Sequence, residues 1–197
     1  GVGKSTTASH LARYLDSLGY DVHGTTQPSR GTLGEIARHH TETYRGLSLA
    51  CLVAADRYDH LDANLRPNRD AGRIVICDRY VASSYVLQRI DGVPLDFVEA
   101  LNAAADVPDL AVLLTADPKV AAARVVHRGA HDRFHDGIES TEREIDLYRD
   151  TAEQLKGKGW PVVGIDTTNT PPAEVAVYIA AWITRLVDEP DVTLATA

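Results

Sequence analysis

The sequence predicts a three-layer α/β/α fold with a five-stranded parallel sheet, on the basis of three observations. Residues 74–77, 110–114 and 162–165 are apolar on both faces, as expected of strands buried inside a parallel sheet. The segments between them carry apolar residues at helical spacing, so strands and helices alternate along the chain. The 197 residues, 44% hydrophobic and 24% charged, suit one soluble domain with a sizeable core.

The first predicted element is a phosphate-binding loop that opens directly into a helix. Its sequence is the second half of the pattern G-x-x-x-x-G-K-[ST]. Backbone amides and the positive helix end bind phosphate, the lysine adds charge, and the hydroxyl can ligate Mg²⁺. The first glycine of the pattern and the strand before it are expected upstream of the first residue. The residues assigned to the phosphates of a polyphosphate ligand are Gly1, Val2, Gly3, Lys4, Ser5 and Thr6.

The remaining elements follow from periodicity and from turn residues. The first helix runs to Leu18 and ends at Gly19, and a short strand follows at residues 22–25. Further helices are expected at residues 33–45, 49–66, 83–90, 95–104, 119–128, 141–155 and 173–187. The upstream strand completes the sheet of five. We expect one domain at residues 1–190, with a small lid at about 129–138 and a frayed tail at 191–197.

Composition excludes some functions. The formal net charge of -8 argues against a general nucleic-acid-binding protein. No apolar segment approaches the roughly 20 residues of a membrane span, and no signal peptide is visible, so we expect a cytoplasmic protein with no membrane partner. Cys51 and Cys77 lack metal or redox spacing and are expected to be buried thiols. The histidines lack metal spacing and are expected at the surface.

Polar residues end each predicted strand, where ligands bind in parallel sheets. Asp78 and Arg79 follow the strand at residues 74–77. Asp78 can hold Mg²⁺ together with Ser5, and Arg79 can bind a phosphate. The alternative is a local salt bridge between Asp78 and Arg79.

An anionic substrate requires a local basic pocket in this acidic protein, and the sequence offers one. Asp56 and Arg57 interrupt the apolar face of a helix, which is costly unless they are paired or bind a ligand. The alternative is a satisfied buried ion pair. Arg124 and Arg128 lie four residues apart on another helix, and Arg133 lies in the predicted lid. For these three, the alternative is a solvated basic face.

These motifs, taken together and in this order, resemble the thymidylate kinase family over nearly the whole chain. The resemblance rests on four further segments besides the phosphate loop. They are Gln27-Pro28-Ser29-Arg30-Gly31-Thr32, Ala54-Ala55-Asp56-Arg57, Asp78-Arg79-Tyr80-Val81-Ala82-Ser83-Ser84 and Asp132-Arg133-Phe134.

The resemblance implies a kinase that uses ATP and Mg²⁺ to phosphorylate a deoxypyrimidine nucleoside monophosphate, with dTMP as the expected acceptor. It also implies a homodimer. It implies catalytic roles for Lys4, Asp78, Arg79 and Arg133, and Arg133 would act on the transition state from the lid. Arg79 would hold the acceptor phosphate, and Arg57 would reach the phosphate or the pyrimidine O4. The implied acceptor site comprises Gln27, Pro28, Val53, Arg57, Arg79, Ser84 and Gln88.

The sequence departs from the family pattern at several positions. Val53 stands where the family has a phenylalanine that stacks on thymine, and Leu87 where it has a tyrosine. Gln27 replaces a glutamate, and Gly1 stands where some members carry an arginine. Val53 and Leu87 leave open a kinase for a modified pyrimidine nucleotide or another small acceptor. The incomplete phosphate loop leaves open an inactive nucleotide-binding regulatory protein.

Overall fold

The computed structural model describes residues 1–128 and 137–188. The chain divides into two compact units. The loop unit consists of Gly1–Leu18 and Val107–Ala197, and the middle unit is Gly19–Asp106. The predicted tail and residues 129–136 of the predicted lid lie outside the described residues. The single domain at residues 1–190 stays a prediction.

The predicted alternation of helices and strands is confirmed, with shifts of a few residues at most ends. In chain order the elements are α1 Lys4–Ser17, β1 Val22–Thr26, α2 Thr32–His39, α3 Gly46–His60, a π-helical turn Leu61–Leu65, α4 Arg66–Asp70, β2 Ile74–Asp78, α5 Val81–Ile90, α6 Leu95–Asn102, β3 Ala111–Thr115, α7 Pro118–Arg128, α8 Gly137–Gly157, β4 Val162–Asp166 and α9 Pro172–Asp188.

The sheet differs from the prediction. All four strands predicted within the sequence form, and they pair in parallel, but a single five-stranded sheet is not found. In the middle unit β1 pairs with β2, from Val22 opposite Ile74 to Thr26 opposite Asp78. In the loop unit β3 pairs with β4, from Ala111 opposite Val162 to Thr115 opposite Asp166. The described residues therefore form two sheets of two strands.

Two helices differ from the prediction for local reasons. α2 ends at His39 because a turn follows at residues 41–43, where threonines disfavour the helix. The helix predicted at residues 49–66 is longer, and the π-helical turn at Leu61–Leu65 interrupts it. Pro67 follows that turn and lacks a backbone N–H, and its ring crowds the carbonyl four residues earlier, which accounts for the widened turn.

The core of the loop unit lies where α1 packs on α9. Leu15 and Val175 have no exposed surface, and Leu11 and Ile179 are buried beside them. Full burial of such a side chain contributes about 1.5–3 kcal/mol. This packing holds the start of α1, and therefore the phosphate loop, on a rigid base.

No helix within residues 1–128 or 137–188 combines the length and apolarity that crossing a membrane requires.

Gly34 of α2 gives a test of the packing in the middle unit. A Cβ at this position would lie 2.2 Å from the carbonyl oxygen of Ser29 and 2.5 Å from its nitrogen. We expect Gly34→Ala to lower the free energy of unfolding by about 1–3 kcal/mol through overpacking, although alanine normally favours a helix. Gly24→Ala is the matched control, because a Cβ there meets nothing within 4 Å. Urea denaturation that ranked the two variants the other way would contradict the packing described.

Candidate active site

The phosphate loop depends on two glycines for different reasons. Gly3 caps α1 with a φ of 87°, a left-handed conformation that glycine adopts without strain. At Gly1, a Cβ would lie 2.1 Å from the carbonyl oxygen of Ala121 in α7. A side chain at Gly1 therefore fits only if α7 moves, so glycine suits this position. The first-turn amides of α1 lie outside the hydrogen-bond ladder of the helix, as an anion site requires.

Two interactions within the loop unit fix the phosphate loop. The hydroxyl of Thr167, which is buried, lies 3.1 Å from the carbonyl oxygen of Val2 and 2.9 Å from that of Thr115. Arg124 of α7 donates to the carbonyl oxygens of Thr167 and Thr168, each at 3.1 Å. The role of Arg124 as a lid residue stays a prediction, and in the structure its side chain contacts the segment that follows β4. The side chain of Arg128, and Arg133 as a whole, lie outside the described residues.

Lys4 contacts α8. Its ammonium lies 3.9 Å from a carboxylate oxygen of Glu144 and 5.1 Å from the centre of the Tyr148 ring. The two charged side chains are 22% and 10% exposed, so this ion pair is screened less than a surface pair. A cavity of about 20 Å³ lies beside these groups, which is room for about one water molecule.

In the middle unit, Arg57 is buried at the centre of the predicted acceptor residues. It is 2% exposed and donates from Nε to Gln27 Oε1 at 2.9 Å and from one terminal nitrogen to Ser84 Oγ at 2.9 Å. The other terminal nitrogen donates to Asn102 Oδ1. The guanidinium also lies 5.5 Å from the centre of the Tyr80 ring. Burial lowers the pKa of Arg57 to about 10, so the group is still charged near neutral pH.

The alternative of a buried ion pair between Asp56 and Arg57 is wrong. Asp56 is 1% exposed and accepts hydrogen bonds from the amide of Ser29, at 2.7 Å, and from the Ser29 hydroxyl. Within residues 1–128 and 137–188, Arg57 has no carboxylate partner, and its three hydrogen-bond acceptors are all neutral. A buried positive charge with neutral partners remains available to an anion.

The ends of β1 and β2 place the next predicted residues. The backbone N–H of Gln27 and the hydroxyl of Thr26 both donate to the backbone carbonyl oxygen of Asp78, at 3.0 and 2.9 Å. Arg79 follows with a φ of 69°, an uncommon conformation for a residue with a side chain. Such outliers concentrate at functional sites, where the surrounding structure maintains them.

The other predicted acceptor residues lie on α3, on α5 and beside Gln27. Ser84 and Gln88 of α5 are buried, and the side-chain oxygen of Gln88 has no hydrogen-bond partner within the described parts of the chain. Pro28 and Val53 are half-buried. Gln27, Arg57 and Ser84 are therefore joined by hydrogen bonds, whereas Ser5 and Asp78, the predicted metal ligands, belong to different units.

Two predictions about burial need correction. Cys51 is exposed, and Cys77 is half-buried, where burial raises the pKa of its thiol to about 12 and keeps it neutral. Cys51 lies on α3 outside its apolar face, which explains its exposure. His60 was expected at the surface, but it is 7% exposed. Both ring nitrogens form hydrogen bonds, one with Gln27 and the other with Thr25, and these bonds offset the cost of burying the polar ring.

Sequence reasoning missed His60 and Asn102. His60 follows Asp56 by four residues on the same helix, and that spacing placed it on the buried face. Asn102 lies 45 residues from Arg57 in sequence, so no local pattern could reveal the contact.

The fold and the site together define the class of protein. Parallel strands alternate with helices, a glycine-lysine-serine loop precedes the first helix, and a buried arginine forms hydrogen bonds with neutral side chains. These are the parts of an α/β nucleotide-binding protein of the phosphate-loop type.

Comparison with known proteins gives the family. A family model described as thymidylate kinase matches residues 1–170. A probable thymidylate kinase of Pyrobaculum aerophilum is 35% identical over 193 residues, covering 95% of this chain and 93% of that protein. A thymidylate kinase of Xanthomonas euvesicatoria is 33% identical over 189 residues, covering 94% and 82%. The chain belongs to the thymidylate kinase family, a family of nucleoside monophosphate kinases.

The buried His60 predicts how stability changes with acid. Burial lowers the pKa of His60 below its ordinary value of 6.5, so the unfolded chain binds a proton at this residue more readily than the folded chain. His60 therefore contributes stability above about pH 6.5 that is lost as the pH falls through its lower folded pKa. We expect unfolding free energies at pH 7.5 and 5.0 to differ more in the unchanged protein than in His60→Asn. An equal difference in both proteins would show that His60 titrates as it does in the unfolded chain.

Proposed function

We propose that this protein transfers the γ-phosphoryl group of ATP to dTMP and releases dTDP and ADP. The observation that carries the proposal is the buried guanidinium of Arg57 with its neutral partners, in a chain whose phosphate loop and family match imply ATP. A nucleoside monophosphate is the anionic acceptor that the family resemblance implies. Positioning and charge neutralisation account for catalysis of this reaction, with little covalent chemistry by the protein.

On the donor side, the residues of the phosphate loop bind ATP. The amides at the start of α1 face the β- and γ-phosphates, and Lys4 moves from Glu144 to place its ammonium on them. Gly1 and Gly3 keep the backbone close enough for these contacts.

Mg²⁺ accompanies ATP in this proposal. In phosphoryl-transfer sites this ion takes one or two protein oxygens and completes its coordination with phosphates and water. The hydroxyl of Ser5 and the carboxylate of Asp78 are each the kind of oxygen donor that would hold the ion. When bound, the ion neutralises charge on the phosphates.

On the acceptor side, Arg79 holds the phosphate of dTMP, and Arg57 supplies the second positive charge or contacts the base. Ser84 and Gln88 contact the base. The buried side-chain oxygen of Gln88, which has no partner among the described residues, supports a bound donor in this region. Val53 gives the base an aliphatic surface in place of an aromatic ring, which weakens stacking by about 1–3 kcal/mol. Arg133, outside the described residues, acts from the lid.

The alternatives from the sequence receive no support from the comparisons. The matched relatives carry names of thymidylate kinases, and the phosphate loop, Arg57 and Arg79 are all present. The homodimer and the cytoplasmic location stay predictions.

Substitution of the two phosphate-binding cations tests the proposal. We expect Lys4→Ala and Arg79→Ala each to lower kcat/KM for dTMP phosphorylation by about 100-fold or more, because each removes a charge from the transition state. Lys119→Ala is the matched control, since Lys119 is exposed on α7. A coupled assay of ADP release measures all three. Near-normal turnover by Arg79→Ala would contradict the acceptor site.

A further inference from the structure

A buried chain of hydrogen bonds leads from β1 to Arg57. The Thr25 hydroxyl lies 2.9 Å from His60 Nε2, and His60 Nδ1 lies 3.3 Å from the side-chain nitrogen of Gln27. The side-chain oxygen of Gln27 then accepts from Arg57 Nε at 2.9 Å. Gln27, Arg57 and His60 are 2%, 2% and 7% exposed, so water cannot replace a lost partner readily.

The chemistry of these groups leaves one arrangement of protons. A guanidinium only donates, so the Gln27 atom that faces Arg57 is the carbonyl oxygen. The Gln27 NH₂ therefore faces His60 Nδ1, and because NH₂ only donates, Nδ1 carries a lone pair. The imidazole proton then lies on Nε2 and is donated to Thr25 Oγ1.

We propose that His60 is a positioning residue for the acceptor site: it fixes the Gln27 amide, and the amide fixes the Arg57 guanidinium. The proposal rests on the proposed function. Without an acceptor at Nδ1, the Gln27 NH₂ loses its partner, and the amide is free to turn its NH₂ toward Arg57. Two donors then face each other, and the guanidinium is held at Ser84 and Asn102 alone.

The charged surroundings of His60 agree with a neutral imidazole. Asp56 and Asp59 on the same helix favour its protonation, whereas His23 on β1 opposes it. Asp56 is already bound to Ser29. The burial of the ring outweighs these charges, and the pKa of His60 lies below its ordinary value. Protonation in acid would place an Nδ1–H against the Gln27 NH₂ and would disturb Arg57 in the same way as loss of the acceptor.

The test compares His60→Leu with His60→Asn. Leucine removes the acceptor, whereas the side-chain oxygen of asparagine can take the place of Nδ1. We expect His60→Leu to raise KM for dTMP about tenfold, with KM for ATP and kcat changed less than about twofold. His60→Asn should restore KM for dTMP to within about threefold of the unchanged protein. His23→Leu is the matched control, because His23 is half-buried in the same unit and bonds to Asn64.

Several results would overturn the proposal. They are an unchanged KM for dTMP in His60→Leu, an equal rise in KM for both substrates, an equal effect of His23→Leu, or no recovery in His60→Asn. If the wild type does not phosphorylate dTMP at all, the proposed function fails, and this inference fails with it. If the wild type phosphorylates dTMP and the His60 variants keep its KM for dTMP, the inference is rejected while the proposed function stands.

A pH profile keeps the test decisive if His60→Leu does not fold. The ratio of KM for dTMP in the unchanged protein to that in His60→Asn should rise as the pH falls from 7.5 to the lowest pH at which both proteins stay folded, because burial lowers the pKa of His60. The phosphate of dTMP titrates near pH 6, but it does so equally in both measurements and cancels in the ratio. A ratio that stays constant over this range would overturn the proposal.

Discussion

The middle unit is organised around one constraint, the burial of a positive charge whose partners are all neutral. A buried guanidinium is costly unless every donor finds an acceptor. Gln27, Ser84 and Asn102 come from three separate parts of the unit to meet this demand, and the Tyr80 ring lies near the cation. Because none of these groups carries a negative charge, the hydrogen bonds are satisfied while the charge remains for a ligand.

In the loop unit, by contrast, the cation Lys4 has a negatively charged neighbour. Lys4 lies near the carboxylate of Glu144, while glycine geometry and the Thr167 hydroxyl set the phosphate loop itself. The flexible side chain of a lysine can move its ammonium group from a carboxylate to a phosphate. A guanidinium held by three hydrogen bonds stays in place. The two cations therefore suit two tasks. In the proposed reaction, Lys4 would follow the phosphates of ATP, and Arg57 would offer the acceptor a site that is formed in advance.

Sequence alone predicted the alternation of elements, because apolar strands and amphipathic helices are local patterns. It also predicted that Asp56 and Arg57 face inward, since they interrupt an apolar helical face. It did not predict their partners: Asp56 binds Ser29, and Arg57 binds Asn102, and such pairings depend on how distant segments pack. The single five-stranded sheet was not found, because the described strands pair only as β1 with β2 and β3 with β4, and strand pairing depends on how distant segments pack. The burial of His60 was not predicted because its hydrogen-bond partners, Thr25 and Gln27, lie in a distant segment of the chain.

The central claim is that the charge of Arg57, whose hydrogen-bond partners among the described residues are all neutral, binds the acceptor nucleotide. Calorimetric titration of dTMP into the unchanged protein and into Arg57→Met tests it most directly, since methionine fills much of the same volume without the charge. The account predicts a loss of affinity of about tenfold or more in Arg57→Met, with binding of ATP retained. Equal affinity of the two proteins for dTMP would contradict it.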